Sequence, residues 1–391
     1  MNFPSISRPL QRAGHLFALV TFVSLAACGD SSDSAVSADS GESSVASLKL
    51  IGAASLPTGT LFQGVEFGGI SGLDLAKDGT FWAMSDDRGG ERGTPRFYSL
   101  AIDYGATGPV TVTIKSQTYM QREDGTPFLA TARTVDPEAI RLAPNGNLYW
   151  ASEGNWNATP AALFQPFVRE MTTAGKFVRE FTTPSIYNYV DNTTTGGRSN
   201  KIFEALTVAP NGTVYAANED ALIQDGPITT VQAGSVVRVT AMDPATGTAK
   251  AQYAYQLPKI PVDAAAGARF GPDNGLSDFL AIGNKKFIAV ERAFADGIGN
   301  TIRLVLTEIT DATTDVSRIA KLTDTPYTPM TRKMLLEMPI NYQGIKLDNI
   351  EAITWGKTLP NGNRTIVLAA DNNFTADTQA NQFIVFEVLP N

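Results

Sequence analysis

The chain has 391 residues, with 31 Lys and Arg against 39 Asp and Glu and a formal net charge of −8. Apolar residues make up 43% and charged residues 18%, enough for a core in one large all-β domain or in two domains. The single His, His15, and the single Cys, Cys28, both lie in the first 28 residues, so the body after them excludes Ser-His-Asp and Cys-His catalysis, histidine phosphatase chemistry, structural zinc and internal disulfides.

The first segment reads as a secretory signal over 1–27. Arg8 and Arg12 precede an apolar run from Ala13 to Leu25, shorter than the about 20 residues of a spanning helix. It ends in Leu25-Ala26-Ala27-Cys28, which resembles a bacterial lipobox with Cys28 as the lipidated residue. Gly29 follows, so sorting to the outer membrane of the cell envelope is expected. Cleavage would remove two Arg and no acid, taking the charge from −8 to −10. Such a balance disfavours nucleic acid and anionic lipid as partners. Residues 28–47 are small and polar and read as a flexible tether.

From residue 48 to the end the chain repeats. Units headed by Ser71, Glu138, Glu204, Ser277 and Glu351 recur at steps of 67, 66, 73 and 74 residues. Each begins with two short apolar runs about a tight turn: Asp78-Gly79, Asn145-Gly146, Asn211-Gly212, Gly283-Asn284 or Asn361-Gly362. These dipeptides are expected to supply the positive φ of hairpins. Two further strand-like runs follow in the first four units, such as Phe167–Thr172 with Phe177–Thr182. Four antiparallel strands per unit predict a β-propeller of five blades over 48–391. Leu48–Leu56 is expected to complete the last blade and close the ring. Six blades is the alternative, with one hidden in 183–203 or 311–349. The aromatics Trp82, Tyr149, Trp150 and Tyr215 read as blade packing.

The hairpin geometry brings the head of strand one beside the end of strand two. Ser71 is then beside Asp86, Asp87 and Arg88, Glu138 beside Glu153, and Glu204 beside Glu219 and Asp220. Likewise Ser277 and Asp278 are beside Glu291 and Arg292, and Glu351 beside Asp371. The separations are 15, 15, 15, 14 and 20, the last stretched by a longer turn. Asp86, Asp87, Glu138, Glu153, Glu204, Glu219, Asp220, Glu291, Glu351 and Asp371 are therefore expected to line one ring as metal ligands. Carboxylates so crowded raise one another's pKa unless Arg, water or a cation intervenes. Arg88, Arg292, Arg96 and Lys201 offer partners. Oxygen ligands without His or Cys suit calcium. Ser71 fails as a lipase-type nucleophile, because Leu73 stands where that elbow needs Gly. No phosphate-binding Gly-Lys loop or dinucleotide fingerprint occurs.

Gly68-Gly69-Ile70-Ser71-Gly72-Leu73-Asp74, Ser85-Asp86-Asp87-Arg88-Gly89 and Pro95-Arg96-Phe97-Tyr98 resemble the phytase-like family, "esterase-like activity of phytase". Asp136-Pro137-Glu138, Phe203-Glu204-Ala205-Leu206, Asn218-Glu219-Asp220, Val290-Glu291-Arg292, Asp348-Asn349-Ile350-Glu351 and Asp371-Asn372-Asn373-Phe374 agree, in order, over about 48–389. Ala139, Ala205 and Ala352 depart from the Gly common there. The resemblance implies an exported propeller with phosphatase or esterase activity. It is similar in outline to calcium-dependent propeller phytases, whose acidic clusters hold several calcium ions that bind phosphate.

On that implication the chain is a calcium-dependent hydrolase of a small phosphate or carboxylic ester, with Glu138, Glu204, Arg88 and Arg292 as candidate catalytic residues. It would be monomeric and bound to the membrane through lipid on Cys28. A lipid-anchored binding propeller without catalysis and a calcium-dependent lactonase of the gluconolactonase kind are the alternatives.

Overall fold

The computed structural model describes residues 43–390 apart from 90, 192, 193 and 377. The signal, Cys28 and most of the tether lie outside the described residues. Among the described residues the regular structure is β-strand with three single-turn 3-10 segments, and no helix is long and apolar enough to cross a membrane.

Five four-stranded antiparallel sheets form the blades of a propeller. Blade 1 is Ile70–Leu75, Phe81–Ser85, Arg96–Asp103 and Thr111–Tyr119. Blade 2 is Pro137–Leu142, Leu148–Ser152, Phe167–Met171 and Phe177–Glu180. Blade 3 is Phe203–Val208, Val214–Asn218, Ser235–Asp243 and Thr248–Leu257. Blade 4 is Asp273–Ala281, Lys286–Ala295, Gly299–Glu308 and Lys333–Met338. Blade 5 takes Asn349–Trp355, Thr365–Asp371 and Ala380–Leu389 from the end of the chain. Its fourth strand is Ser47–Pro57, antiparallel to Ala380–Leu389 from Ser47↔Leu389 to Pro57↔Ala380. The first strand of each blade packs on that of the next, from blade 1 round to blade 5 and back.

The blade number is five, not six. Of the two stretches that could have hidden a blade, 183–203 carries, among its described residues, one 3-10 turn and no strand before Phe203. The stretch 311–349 supplies the outer strand of blade 4 and a small hairpin of Asn341–Tyr342 with Ile345–Lys346. Contacts to the propeller begin before residue 48. Ser43 N donates to Ile282 O at 2.7 Å, and Val45 is buried among residues of blades 4 and 5.

The core is divided among the blade interfaces, as period-2 strands buried on both faces require. Leu73, Phe81 and Tyr98 meet Val367 and Phe383 between blades 1 and 5. Met84 and Phe97 meet Trp150 and Phe167 between blades 1 and 2, and Tyr149 and Ala151 meet Phe203 and Leu206 between blades 2 and 3. Tyr215 and Val239 meet Phe279 and Phe287 between blades 3 and 4, and Ile288 and Leu304 meet Ile353 and Phe386 between blades 4 and 5. Edge-on pairs join Trp150 to Phe167, Tyr149 to Phe181 and Tyr215 to Phe287.

Gly79, Gly146, Gly212 and Gly362 take the positive φ expected of their turns. The fourth hairpin differs: neither Gly283 nor Asn284 has positive φ. There Asn284 turns toward blade 3, where its side chain accepts from Asn211 N and its carbonyl from Tyr215 Oη.

Candidate functional site

Every blade slips register by one residue at the same place in its first hairpin. The slips fall between Ile70 and Gly72, Pro137 and Ala139, Phe203 and Ala205, Leu276 and Asp278, and Ile350 and Ala352. The extra residues are Ser71, Glu138, Glu204, Ser277 and Glu351, the unit heads of the sequence repeat. A bulge re-aims the side chain it carries. In blades 1 and 4 the hydroxyl seals a blade junction: Ser71 Oγ donates to Pro137 O and Ser277 Oγ to Ile350 O, both at 3.1 Å. In blades 2, 3 and 5 the same position carries a buried carboxyl.

The second strand supplies the matching position. Ile70 pairs with Ser85, Pro137 with Ser152, Phe203 with Asn218, Leu276 with Glu291 and Ile350 with Ala370. The residues just beyond, on the opposite side of the strand, are Asp86, Glu153, Glu219, Arg292 and Asp371. Thus a cation holds in blade 4 the place that acids hold in the other four. Gly69 (φ 65°) and Gly275 give these side chains room, since a Cβ would collide with Asp86 Oδ1 at the first and with the Glu219 side chain at the second.

Asp136 and Asp273 join this ring beside Glu138 and Lys201. Arg88 Nε is 3.0 Å from Asp136 Oδ1. Lys201 Nζ is 2.8 Å from Glu219 and 2.6 Å from Asp273. Arg292 Nη2 is 2.8 Å from Glu219 and 3.6 Å from Glu351. Two carboxylate triads lie between these cations, Asp136–Glu138–Glu153 and Glu153–Glu204–Glu219, each with one oxygen per residue within 4.8 Å of the others. Among the described residues Glu138, Glu153 and Glu204 have no ion-pair partner within 4.0 Å. Glu153 Oε1 accepts from Ile202 N at 2.6 Å, but Glu153 Oε2, Glu204 Oε2 and Asp86 Oδ1 are buried and accept nothing.

Burial raises the pKa of Glu138, Glu153 and Glu204 well above the ordinary range, and the neighbouring carboxylates add to it. Asp86 and Asp371 rise for the same reasons. Burial pushes Asp136 up to about 6 against the pull of Arg88, and Glu351 up to about 7 against that of Arg292. Asp273 goes the other way, because Lys201 and Arg292 outweigh its burial. A buried ring with carboxylate oxygens that meet no protein donor calls for protons, water or a cation. Its donors are all hard oxygens, and a calcium ion takes 6–8 of them. The residues fit such an ion at the two triads.

Of the residues expected on the ring, Asp86, Glu138, Glu153, Glu204, Glu219, Glu351, Asp371, Arg88 and Arg292 are brought together. Asp87, Asp220 and Glu291 are not. Asp87 Oδ2 is 2.7 Å from buried Arg96, which therefore serves Asp87 and not the ring. Asp220 accepts from Ala221 N, Thr229 N and Ser235 Oγ inside blade 3. Glu291 is held by Arg332 at 2.6 and 2.8 Å and by Tyr255 Oη. Glu291 neighbours Arg292 within one strand and points to its other side, while Asp87 and Asp220 stand one residue past Asp86 and Glu219, beyond the strand ends at Ser85 and Asn218. The separation of 15 seen in blades 1–3 reaches Arg292 from Ser277, whereas 14 reaches Glu291. Asp136 was missed as a site residue, although it stands two before Glu138, and so was Asp273.

Farther along the same strands the channel is plugged. Arg141 of blade 2 reaches Asp278 of blade 4 at 2.6 Å and donates to Leu73 O of blade 1 and Ile353 O of blade 5. The ring lies toward the other end of the channel. There a cavity of about 850 Å³ adjoins it, with Lys201, Asp273, Arg292, Asn349 and Glu351 among its lining.

The model of the phytase-like family, described as esterase-like activity of phytase, matches residues 65–374, and the chain belongs to that family. No curated protein matches. Solved structures similar to the chain include a protein of unknown function from Dyadobacter fermentans, at 11% identity over 88% of this chain and 99% of that one, with a TM-score of 0.40. A GH43 beta-xylosidase/alpha-arabinofuranosidase from a compost metagenome, in complex with xylotriose, gives 12%, 87%, 96% and 0.42. A GH43_1 enzyme from Xanthomonas citri gives 13%, 86%, 90% and 0.43. Likenesses of this strength say nothing of this chain's chemistry.

Proposed function

We propose that the protein is a calcium-dependent hydrolase of phosphate or carboxylic esters, acting at the ring and the cavity beside it. The observation that carries this reading is the pair of triads sharing Glu153, with unpaired oxygens on Glu153 and Glu204. Asp136, Glu138, Glu153, Glu204 and Glu219 would hold the cation. Bound calcium would neutralise charge developing on the ester oxygens and acidify a bound water. Arg292 and Arg88 would donate to the anionic oxygens of the substrate, since a guanidinium matches phosphate and carboxylate geometry. Glu351, which borders both Arg292 and the cavity, would pass a proton to the leaving oxygen. None of these roles needs His or Cys. Lipid on Cys28 would hold the propeller at the bacterial envelope.

The test is hydrolysis of model phosphate and carboxylic esters with calcium and with chelator. Calcium-dependent turnover lost in Glu138→Gln supports the reading. A protein stabilised by calcium that turns over neither substrate class is a binding propeller instead.

A further inference from the structure

We infer that the protein lies on the lipid surface by the end of the propeller where the first hairpins turn, so that the ring and its cavity face away from the bilayer and serve esters dissolved in water. This rests on the reading above that lipid on Cys28 anchors the chain. The chain leaves the fold at that turn end. Ser43 N donates to Ile282 O at 2.7 Å, next to the turn at Gly283-Asn284, and Ser43 Oγ accepts from Arg364 Nη1 at 2.6 Å. Val45 is buried between blades 4 and 5, and Ala46 N donates to Leu389 O at 2.9 Å. The chain is thus tied at the turn end before it pairs as the fourth strand of blade 5.

The reach of the chain favours the same end. Residues 29–42 are all that separate Cys28 from Ser43, and fully extended they span at most about 50 Å. The second strand of blade 4, Lys286–Ala295, runs about 30 Å from the turn end to the ring end. To set the ring on the bilayer the chain would spend most of its reach retracing that distance along the outside of the propeller. From the turn end it meets the bilayer directly.

The charges agree. The ring end carries the acids of the ring against Arg88, Lys201 and Arg292. At the turn end Asp243, Asp103 and Glu387 are each matched by a lysine, Lys250 at 2.8 Å, Lys357 at 3.0 Å and Lys49 at 3.1 Å. Lys285 and Lys333 are exposed at the same end and have no ion-pair partner among the described residues. Lys333 lines, with Ser43, Ser44 and Lys286, a cavity of about 470 Å³ where the chain leaves. Glu308 borders it too, so this basic patch is too small to hold a bilayer alone. It orients a protein already held by lipid, as a basic segment beside an acyl anchor does.

The experiment uses the lipidated full chain in vesicles of phosphatidylcholine and phosphatidylglycerol that carry a nitroxide on the headgroup of a minor lipid. Cys28 is blocked by its lipid and the chain has no other Cys, so a single new thiol can carry a fluorophore. Ala245→Cys places it at the turn end and Lys346→Cys at the ring end, both at exposed positions. The label of Ala245→Cys should lose most of its emission and that of Lys346→Cys little, since the two ends stand about 30 Å apart. Equal quenching, or more at Lys346→Cys, overturns the inference. Adding Lys285→Glu and Lys333→Glu should narrow the difference, and an unchanged difference overturns the role given to the patch. Mass spectrometry separates the two failures. Cys28 without lipid sinks the anchoring reading and the inference with it, whereas lipid present with equal quenching sinks the inference alone. Neither readout uses turnover, so a failure of the hydrolase reading shows separately.

Discussion

Arg292 Nη2 lies 2.8 Å from Glu219 Oε1, joining the blade 4 member of the ring to that of blade 3. With Lys201 it offsets two of the three charges on Glu219, Asp273 and Glu351, while Glu138, Glu153 and Glu204 keep no cation of their own among the described residues. The ring thus has a partly neutralised sector beside the cavity and a cation-hungry sector at the triads.

Removing Arg292 should disturb the neutralised sector in a measurable way. Arg292→Gln leaves buried Glu219 and Glu351 short of a partner, a class of change that costs about 3–5 kcal/mol. In chelator its melting temperature should fall. Calcium should restore more of it than it adds to the wild type, because a cation can then enter the vacated sector. Thermal melts with and without calcium read both effects.

Glu153 is the residue common to both triads, so one substitution tests them together. A ligand at a hundred times its Kd stabilises by about 2.7 kcal/mol, a shift of about 4 °C in a domain of this size. Glu153→Gln should raise the melting temperature in chelator, by relieving repulsion, and abolish most of the calcium shift. Asp220→Asn should lower the melting temperature and leave the calcium shift in place, since Asp220 bonds only within blade 3.

The pH dependence without divalent cation follows from the raised carboxyls. Asp136 sits near 6 and Glu351 near 7 in the fold, against 3.8 and 4.5 when free. The folded form therefore holds more protons than the unfolded form between about pH 7 and 4. In that window the chelated protein should become more stable as pH falls, opposite to ordinary acid denaturation. Calcium should flatten or reverse the slope by competing with the protons. Melting temperatures across the range, in chelator and in calcium, check the sign.

The plug makes a structural prediction. Arg141→Met strands Asp278 in the channel and should cost about 3–5 kcal/mol. The double variant with Asp278→Leu should recover most of that loss, and both should keep the calcium shift. Denaturant titration measures the cycle.

Much of this was legible in the sequence because the fold repeats. Steps of 66–74 residues, turn dipeptides and unit heads gave the blades and the ring position, and the orphan strand near residue 48 gave the closure. What could not be read was which of two adjacent charged residues faces the channel. Asp86 and Asp87, Glu219 and Asp220, and Glu291 and Arg292 differ by one residue, and one residue reverses the side of a strand. The bulge decides the matter, and nothing in composition announces it. The Arg141–Asp278 pair was hidden for another reason: its members lie 137 residues apart and meet only across the closed ring.

The most direct measurement is turnover of phosphate and carboxylic ester substrates by the protein in calcium and in chelator, for the wild type, Glu138→Gln and Glu204→Gln. The account predicts turnover in calcium, none in chelator, and its loss in both variants with the fold intact. Turnover indifferent to chelator, or retained in both variants, would contradict it.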